Sequence, residues 1–207
     1  MMIDSKVLAS GFMAISKKIS ENKMYLISLD QKTGDGDLGI SMDNGFKAAS
    51  DIISVNADTA DIGKLLFLAG KGFNEAAPSS LGTIISMLLM NAAKELKGSE
   101  ETTLADFGKT VRKSMNTVME KLGSKLGEKT FFDAVVPAAE ALCKETELSD
   151  KQRSKNAAEA ARSGAESTKD MVAKHGRAAY FAEKTLGSID GGAEVGRIIF
   201  ETIADQF

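Results

Sequence analysis

Leu29-Asp30-Gln31-Lys32-Thr33-Gly34-Asp35-Gly36-Asp37-Leu38-Gly39-Ile40-Ser41-Met42 sets three aspartates within eight residues, with glycines between and after them. Glycine frees the backbone to bend, so the carboxylates of Asp30, Asp35 and Asp37 can be folded onto one point. Without a cation they would repel one another and raise one another's pKa. Hard oxygen ligands suit Mg²⁺, which takes few carboxylates and completes its octahedron with water and phosphate oxygens. The stretch is therefore expected to hold a divalent metal that carries a phosphorylated ligand. The bland alternative is a solvated turn whose aspartates cap the next helix, ordinary for one aspartate and strained for three.

Better-known phosphate and metal loops do not fit. Gly34 to Gly39 matches G-x-G-x-x-G in form, but no strand precedes it and its variable positions hold carboxylates that would repel a pyrophosphate. As a P-loop it lacks the lysine, since Ile40-Ser41 follows the last glycine. An EF-hand starting at Asp35 would need an oxygen ligand and a glutamate where the chain has Gly39 and Phe46.

Outward from this loop the patterning is helical. Asp4 or Ser5 is expected to cap a first helix carrying Val7, Leu8, Phe12, Ile15 and Ile19 and running to about Leu29. A second is expected from near Gly39 (Ile40, Met42, Phe46, Ala49, Ile53), and a third behind Asp61 (Leu65, Leu66, Leu68, Phe73). Thr83 to Leu96 is the most apolar segment and is expected to be the central helix. Thr103 caps a helix that stops at Gly123, and another starts near Thr130, with Pro137 as a kink or first-turn residue. Ser149 opens an alanine-rich helix to about Met171, where small side chains permit close helix approach, and a last helix covers about Ala193 to Ala204. Convincing strand signals are missing, so the fold class is all-α, about eight antiparallel helices forming one domain over residues 1–207. In an up-and-down arrangement every second loop lies at the same end. The glycine-rich breaks at 34–39, 123–127, 176 and 187–192 and the Pro78 loop can thus converge.

Composition narrows the function. The chain has 207 residues, 43% of them hydrophobic, and a formal net charge of −3 with no basic stripe, which argues against a nucleic-acid partner. Cys143 is the sole cysteine, so no internal disulfide forms, in keeping with a reducing cytoplasm. No apolar run reaches the roughly 18 residues of a membrane span, and the N-terminus opens directly into helical patterning, so neither a membrane nor a signal peptide is expected.

Asp30, Gly34-Asp35-Gly36-Asp37-x-Gly39, Met42 and Gly45-Phe46 resemble the signature of the nucleotide-binding L subunit of dihydroxyacetone kinase. Leu81-Gly82-Thr83, Gly127-Glu128-Lys129-Thr130 with Asp133 and Pro137, Gly176-Arg177-Ala178-Ala179-Tyr180 and Leu186-Gly187 with Asp190-Gly191-Gly192-Ala193 resemble further segments of that family, in order. The resemblance implies a closed barrel of eight antiparallel helices with ADP or ATP at one end, held through two Mg²⁺ ions by Asp30, Asp35 and Asp37. It implies phosphate contacts from Leu38, Gly39, Ile40 and Ser41 at a helix N-terminus. Ala76, Ala77, Ser79, Ser80, Gly123, Thr130 and Phe131 would line the adenine and ribose, and Asp190, Gly191 and Gly192 the rim. Arg177 becomes the catalytic cation, its guanidinium facing the transferring phosphoryl group. The implied reaction is phosphoryl transfer from nucleotide to a triose or tetrose held on a separate K subunit. The implied donor is a phosphotransferase-type M subunit, and a homodimer is compatible.

The chain departs from the family pattern at several of these positions. Leu38 stands for the usual histidine, Ala77-Pro78-Ser79-Ser80 for Ser-Gly-Pro-Leu, Glu128 for aspartate, and Asp190-Gly191-Gly192 for Asp-Pro-Gly. These mark a divergent branch whose substrate need not be dihydroxyacetone. Two other functions stay open: a regulatory module that senses nucleotide and docks on a kinase or transcription factor, and a nucleotide domain like that of fatty-acid kinases. Arg177 also reads as a surface cation after a helix end, Phe131 as core, and Gly187 to Gly192 as a flexible loop. His175, the sole histidine, admits a phosphocarrier role beside the commoner one of helix C-terminal charge partner.

Overall fold

The computed structural model describes residues 2–144 and 147–207. Among them nine α-helices run in chain order: α1 (Ser5–Glu21), α2 (Lys23–Asp30), α3 (Leu38–Val55), α4 (Ile62–Ala76), α5 (Ser80–Glu95), α6 (Leu104–Leu122), α7 (Phe131–Cys143), α8 (Asp150–Ser167) and α9 (Gly191–Ala204). Two 3₁₀ segments, Thr168–Asp170 and Arg177–Thr185, lie between α8 and α9. The only strand pairing among the described residues joins Met2–Ile3 to Thr102–Thr103, antiparallel.

The helix starts follow from side chains that accept otherwise orphaned N–H groups. Asp4 accepts from Val7, Asp61 from Lys64, Ser79 from Gly82, Thr103 from Asp106, Ser149 from Gln152 and Asp190 from Ala193. Thr130 and Asp133 form a reciprocal capping box on α7. Gly123, at φ 66°, closes α6 in the left-handed conformation that glycine adopts without strain.

Successive helices pack around a closed ring: α1 on α3, then α4, α5, α6, α7 and α8, with α9 returning to α1. α9 also packs on α7, and α2 lies against α3 and α9. The expected eight-membered all-α barrel is thus observed, its first predicted helix divided in two. That division corrects the expectation of one helix to Leu29. At Asn22 the side-chain amide donates to the Lys18 carbonyl at 2.8 Å, competing with the helical backbone, and the chain turns into α2.

The central place expected for Thr83 to Leu96 is also corrected, because a ring of helices has no central member. The inner side of α5, with Ile85, Leu88, Leu89 and Ala92, instead faces an apolar interior cavity of about 320 Å³, and Leu88 and Leu89 keep partial exposure. α7 is the most deeply buried helix, with Phe132, Val135, Val136, Ala138 and Ala139 all at or near zero exposure. Pro137 lies inside it, not in its first turn. Proline has no N–H to give the Asp133 carbonyl, and α8 approaches at that point. A Cβ on Gly164 would stand 2.2 Å from the Asp133 carbonyl oxygen. With Ala157, Ala161 and Ala165 fully buried beside Gly164, the small-residue face of α8 makes the close approach that was expected of it.

Candidate metal centre and its cavity

Every second connection of the ring lies at one end: 31–37, 77–79, 123–130 and 171–190. They enclose a cavity of about 850 Å³, walled by residues from all four. The expected convergence of the glycine-rich breaks with the Pro78 loop is thus observed.

Asp30 ends α2, and its backbone carbonyl accepts from Gly34 N–H at 2.6 Å. Its carboxylate folds back beneath the turn and accepts from Gly36 N–H at 2.8 Å. Two glycines are needed for this. A Cβ on Gly34 would lie 2.2 Å from Asp30 Oδ1, and Gly36 sits at φ 77°. Asp37 precedes α3 at the cap position, yet its side chain makes no capping bond. Ligand oxygens of Asp30, Asp35 and Asp37 all lie within 4.8 Å of one another. Burial, followed by the neighbouring charges of Asp35 and Asp30, holds the Asp37 carboxyl above its ordinary pKa. A dication there would offset the repulsion from both neighbouring carboxylates. Arg177 reaches over this cluster and pairs with Asp35.

Asp30, Asp35, Asp37, Leu38, Ser79, Ser80, Thr130, Phe131, Arg177, Asp190, Gly191 and Gly192 line one cavity. Leu38 packs against Gly191, where a Cβ would come within 2.5 Å of Leu38 Cδ2. Phe131 is both wall and core, 6% exposed and edge-on to Phe132. The other expected residues lie outside the lining. Gly39 packs under α2, where a Cβ would meet the Lys23 carbonyl at 2.3 Å. Ile40 is exposed; Ser41 is buried and bonded to Ser79 Oγ at 2.6 Å. Ala77 is buried, Ala76 lies partly exposed at the end of α4, and Gly123 is the exposed cap of α6.

His175, Ser124 and Lys129 also join the lining; of these the sequence singles out His175 alone, as phosphocarrier or helix charge partner. His175 stands at the wall, its Nε2 2.6 Å from Glu128 Oε2. The Ser124 hydroxyl oxygen is buried without a hydrogen-bond partner. Lys129 is 5% exposed and donates to the carbonyls of Thr168 and Ser188. A lysine between glutamate and threonine in a loop has the look of surface charge. Its signals were its place between Gly127 and the Thr130 cap and its membership of the segment Gly127-Glu128-Lys129-Thr130.

Asp190 caps α9 at the back of the cavity. Desolvation pushes its carboxyl up to about 6 from 3.8, against the opposing pull of the Ala193 N–H and the Lys129 charge. A raised native pKa means the folded protein holds this proton more tightly than the unfolded chain. Its contribution to stability is therefore lost as pH rises from about 4 to about 6. Asp190→Asn keeps a capping side chain and removes the desolvated charge. It is expected to melt above the wild type at about pH 7.5, with the difference vanishing at about pH 4 in a calorimetric scan.

Fold and site together define an all-helical barrel with a carboxylate-lined cavity at one end. The DAK2 domain family model matches residues 32–205, and the chain belongs to that family. The ADP-binding subunit DhaL of the PEP-dependent dihydroxyacetone kinase of Escherichia coli (strain K12) is 31% identical over 176 residues, 84% of this chain and 83% of that subunit. The L-erythrulose 1-kinase of Mycolicibacterium smegmatis is 31% identical over 181 residues, 84% of this chain but 31% of that enzyme. The crystal structure of the dihydroxyacetone kinase from C. freundii in complex with AMP-PNP and Mg²⁺ superposes with a TM-score of 0.78 at 21% identity. It covers 98% of this chain, which spans 34% of the kinase. At that identity the likeness establishes the fold. No described helix is long and apolar enough to cross a membrane.

Proposed function

We propose that this chain is the ADP-binding phosphotransferase subunit of a kinase for dihydroxyacetone or a related triose or tetrose. The observation that carries the proposal is the set of three carboxylate oxygens within 4.8 Å at the mouth of a cavity of about 850 Å³. Beside them stand an arginine and two helix N-termini, α3 and α9, which favour anions. A hard, all-oxygen donor set of this kind fits Mg²⁺. Asp30, Asp35 and Asp37 would hold two such ions, and bound Mg²⁺ supplies charge neutralisation at phosphate oxygens. Arg177 is suited to contact the transferring phosphoryl group. Ser79, Ser80, Thr130 and Phe131 form a wall for base and ribose, and Gly192 brings its backbone in beside Phe131, where a Cβ would stand 3.3 Å from the Phe131 nitrogen. No residue need act as a covalent nucleophile, because phosphoryl transfer of this type rests on positioning and electrostatics.

The similar subunits are named ADP-binding and their kinases PEP-dependent. On that basis a K subunit presents the sugar, a phosphotransferase-type M subunit rephosphorylates ADP, and the assembly works in the cytoplasm. The test combines this protein with a K-type subunit, a phosphorylated M-type donor, Mg²⁺ and dihydroxyacetone or erythrulose. Sugar phosphate is expected only with all components present. Tight Mg·ADP binding without turnover on any triose or tetrose would favour a nucleotide-sensing module instead.

A further inference from the structure

Lys129 carries two costs at one residue. Its backbone is left-handed at φ 60°, a conformation residues other than glycine rarely adopt, and the residue is only 5% exposed, at the wall of the cavity. Burial lowers its pKa, while the charges of Asp190 and Asp170 oppose that fall. An apolar side chain would fill the same space without a charge to desolvate. The ammonium is instead engaged by two carbonyls far apart in sequence: Thr168, just past α8, and Ser188 at 2.6 Å, just ahead of α9.

From there a hydrogen-bonded chain leads to the cavity. Thr168 Oγ1 donates to the Ala165 carbonyl and accepts from Asp190 N–H at 2.9 Å, and Asp190 Oδ2 accepts from Ala193 N–H at 2.7 Å. The preceding residue does the same for the middle of the connection. The Glu128 carboxylate meets His175, and its carbonyl accepts from Lys174 N–H. The 168–190 connection is thus fastened to one dipeptide, in addition to the Arg177–Asp35 pair at the aspartate cluster.

We propose that Lys129 is a positioning residue: by drawing the Thr168 and Ser188 carbonyls together it sets Asp190-Gly191-Gly192 against the bound Mg·nucleotide. The ligand in this statement rests on the nucleotide function proposed above, whereas the clamp rests on the protein's own contacts.

The test compares wild type with Lys129→Met, Lys129→Arg and Lys129→Gly. The readouts are amide hydrogen exchange over residues 186–193 in the metal-free protein and calorimetric binding of Mg·ADP. Loss of charge-assisted bonds is expected to speed exchange there and to weaken Mg·ADP by about tenfold or more in Lys129→Met, with partial recovery in Lys129→Arg. Lys129→Gly relieves the left-handed backbone while removing the amine, so it is expected to show the same losses with part of the stability cost offset by the relieved strain. Should Lys129→Met not fold, the glycine and arginine variants carry the comparison. Wild-type exchange together with affinity within about twofold of wild type, even at a lower melting temperature, would overturn the proposal and leave Lys129 a stability residue. If wild type itself does not bind Mg·ADP, the nucleotide function fails and the exchange data alone decide the clamp.

Discussion

Asp35→Asn is expected to abolish Mg²⁺-dependent ADP binding and sugar phosphorylation while leaving the helical ring intact. The substitution keeps the size and polarity of the side chain and removes one of three carboxylates whose oxygens share a 4.8 Å neighbourhood. Removing partners that merely orient a metal ligand costs about 10–100-fold, so loss of a ligand charge should cost about 100-fold or more. The folded state gives up only an exposed ion pair with Arg177, worth no more than about 1 kcal/mol. It also loses a source of repulsion on Asp37, so the metal-free variant should melt no lower than wild type. Calorimetric titration and melting curves in EDTA measure both parts. Turnover that survived the substitution would remove Asp35 from the metal site.

Gly164→Ala is expected to be among the most damaging single-methyl changes in the barrel. The added carbon would lie 2.2 Å from the Asp133 carbonyl oxygen and 2.9 Å from Ala134 Cα, both backbone atoms that cannot swing aside. α8 must then move off α7. Overpacking of this kind costs about 1–3 kcal/mol and occasionally more, and a rigid backbone contact belongs at the upper end. For a chain of this size about 3 kcal/mol lowers the melting temperature by about 6–12 °C. The site should feel it too, because the Asp133 carboxylate accepts from Gly127 N–H at 2.6 Å and Thr130 N–H at 2.7 Å and so shapes the loop that carries Lys129. A drop in melting temperature with weakened Mg·ADP affinity is the expected pair of results. A variant melting within about 2 °C of wild type would show that α7 and α8 separate at little cost.

Much of this architecture was legible because local chemistry and global fold agree. Asp61, Thr103, Thr130 and Ser149 are capping residues placed before apolar periodicity, and each marks a helix start within a residue or two of its sequence estimate, whereas α5 starts at Ser80, three residues ahead of the expected Thr83. The alternation of loops in an antiparallel ring then brought the glycine-rich breaks to one end without any further information. What periodicity could not supply was the consequence of ring closure. An all-round apolar helix such as α5 looks central on a helical wheel, yet here its inner side faces an interior cavity. The break at Asn22 escaped because asparagine is tolerable inside a helix, and only its bond to the Lys18 carbonyl turns it into an end.

In the candidate site, residues with distinctive chemistry could be picked out and residues acting through the backbone could not. The three aspartates stand out by repetition, and Arg177 and Asp190-Gly191-Gly192 by their place in the family pattern. Lys129 matters through carbonyls contributed 39 and 59 residues later, a relation that exists only after folding. Gly39 carries the same lesson in reverse. It sits in the loop of interest, but its missing side chain makes room for the Lys23 carbonyl of α2.

The most direct test of the account is an ADP titration by calorimetry in Mg²⁺, repeated after exchange into EDTA. If dications held by Asp30, Asp35 and Asp37 are what grip the diphosphate, binding is tight in the first buffer and lost in the second, where three unshielded carboxylates repel the nucleotide. ADP binding of equal affinity in EDTA would contradict that account.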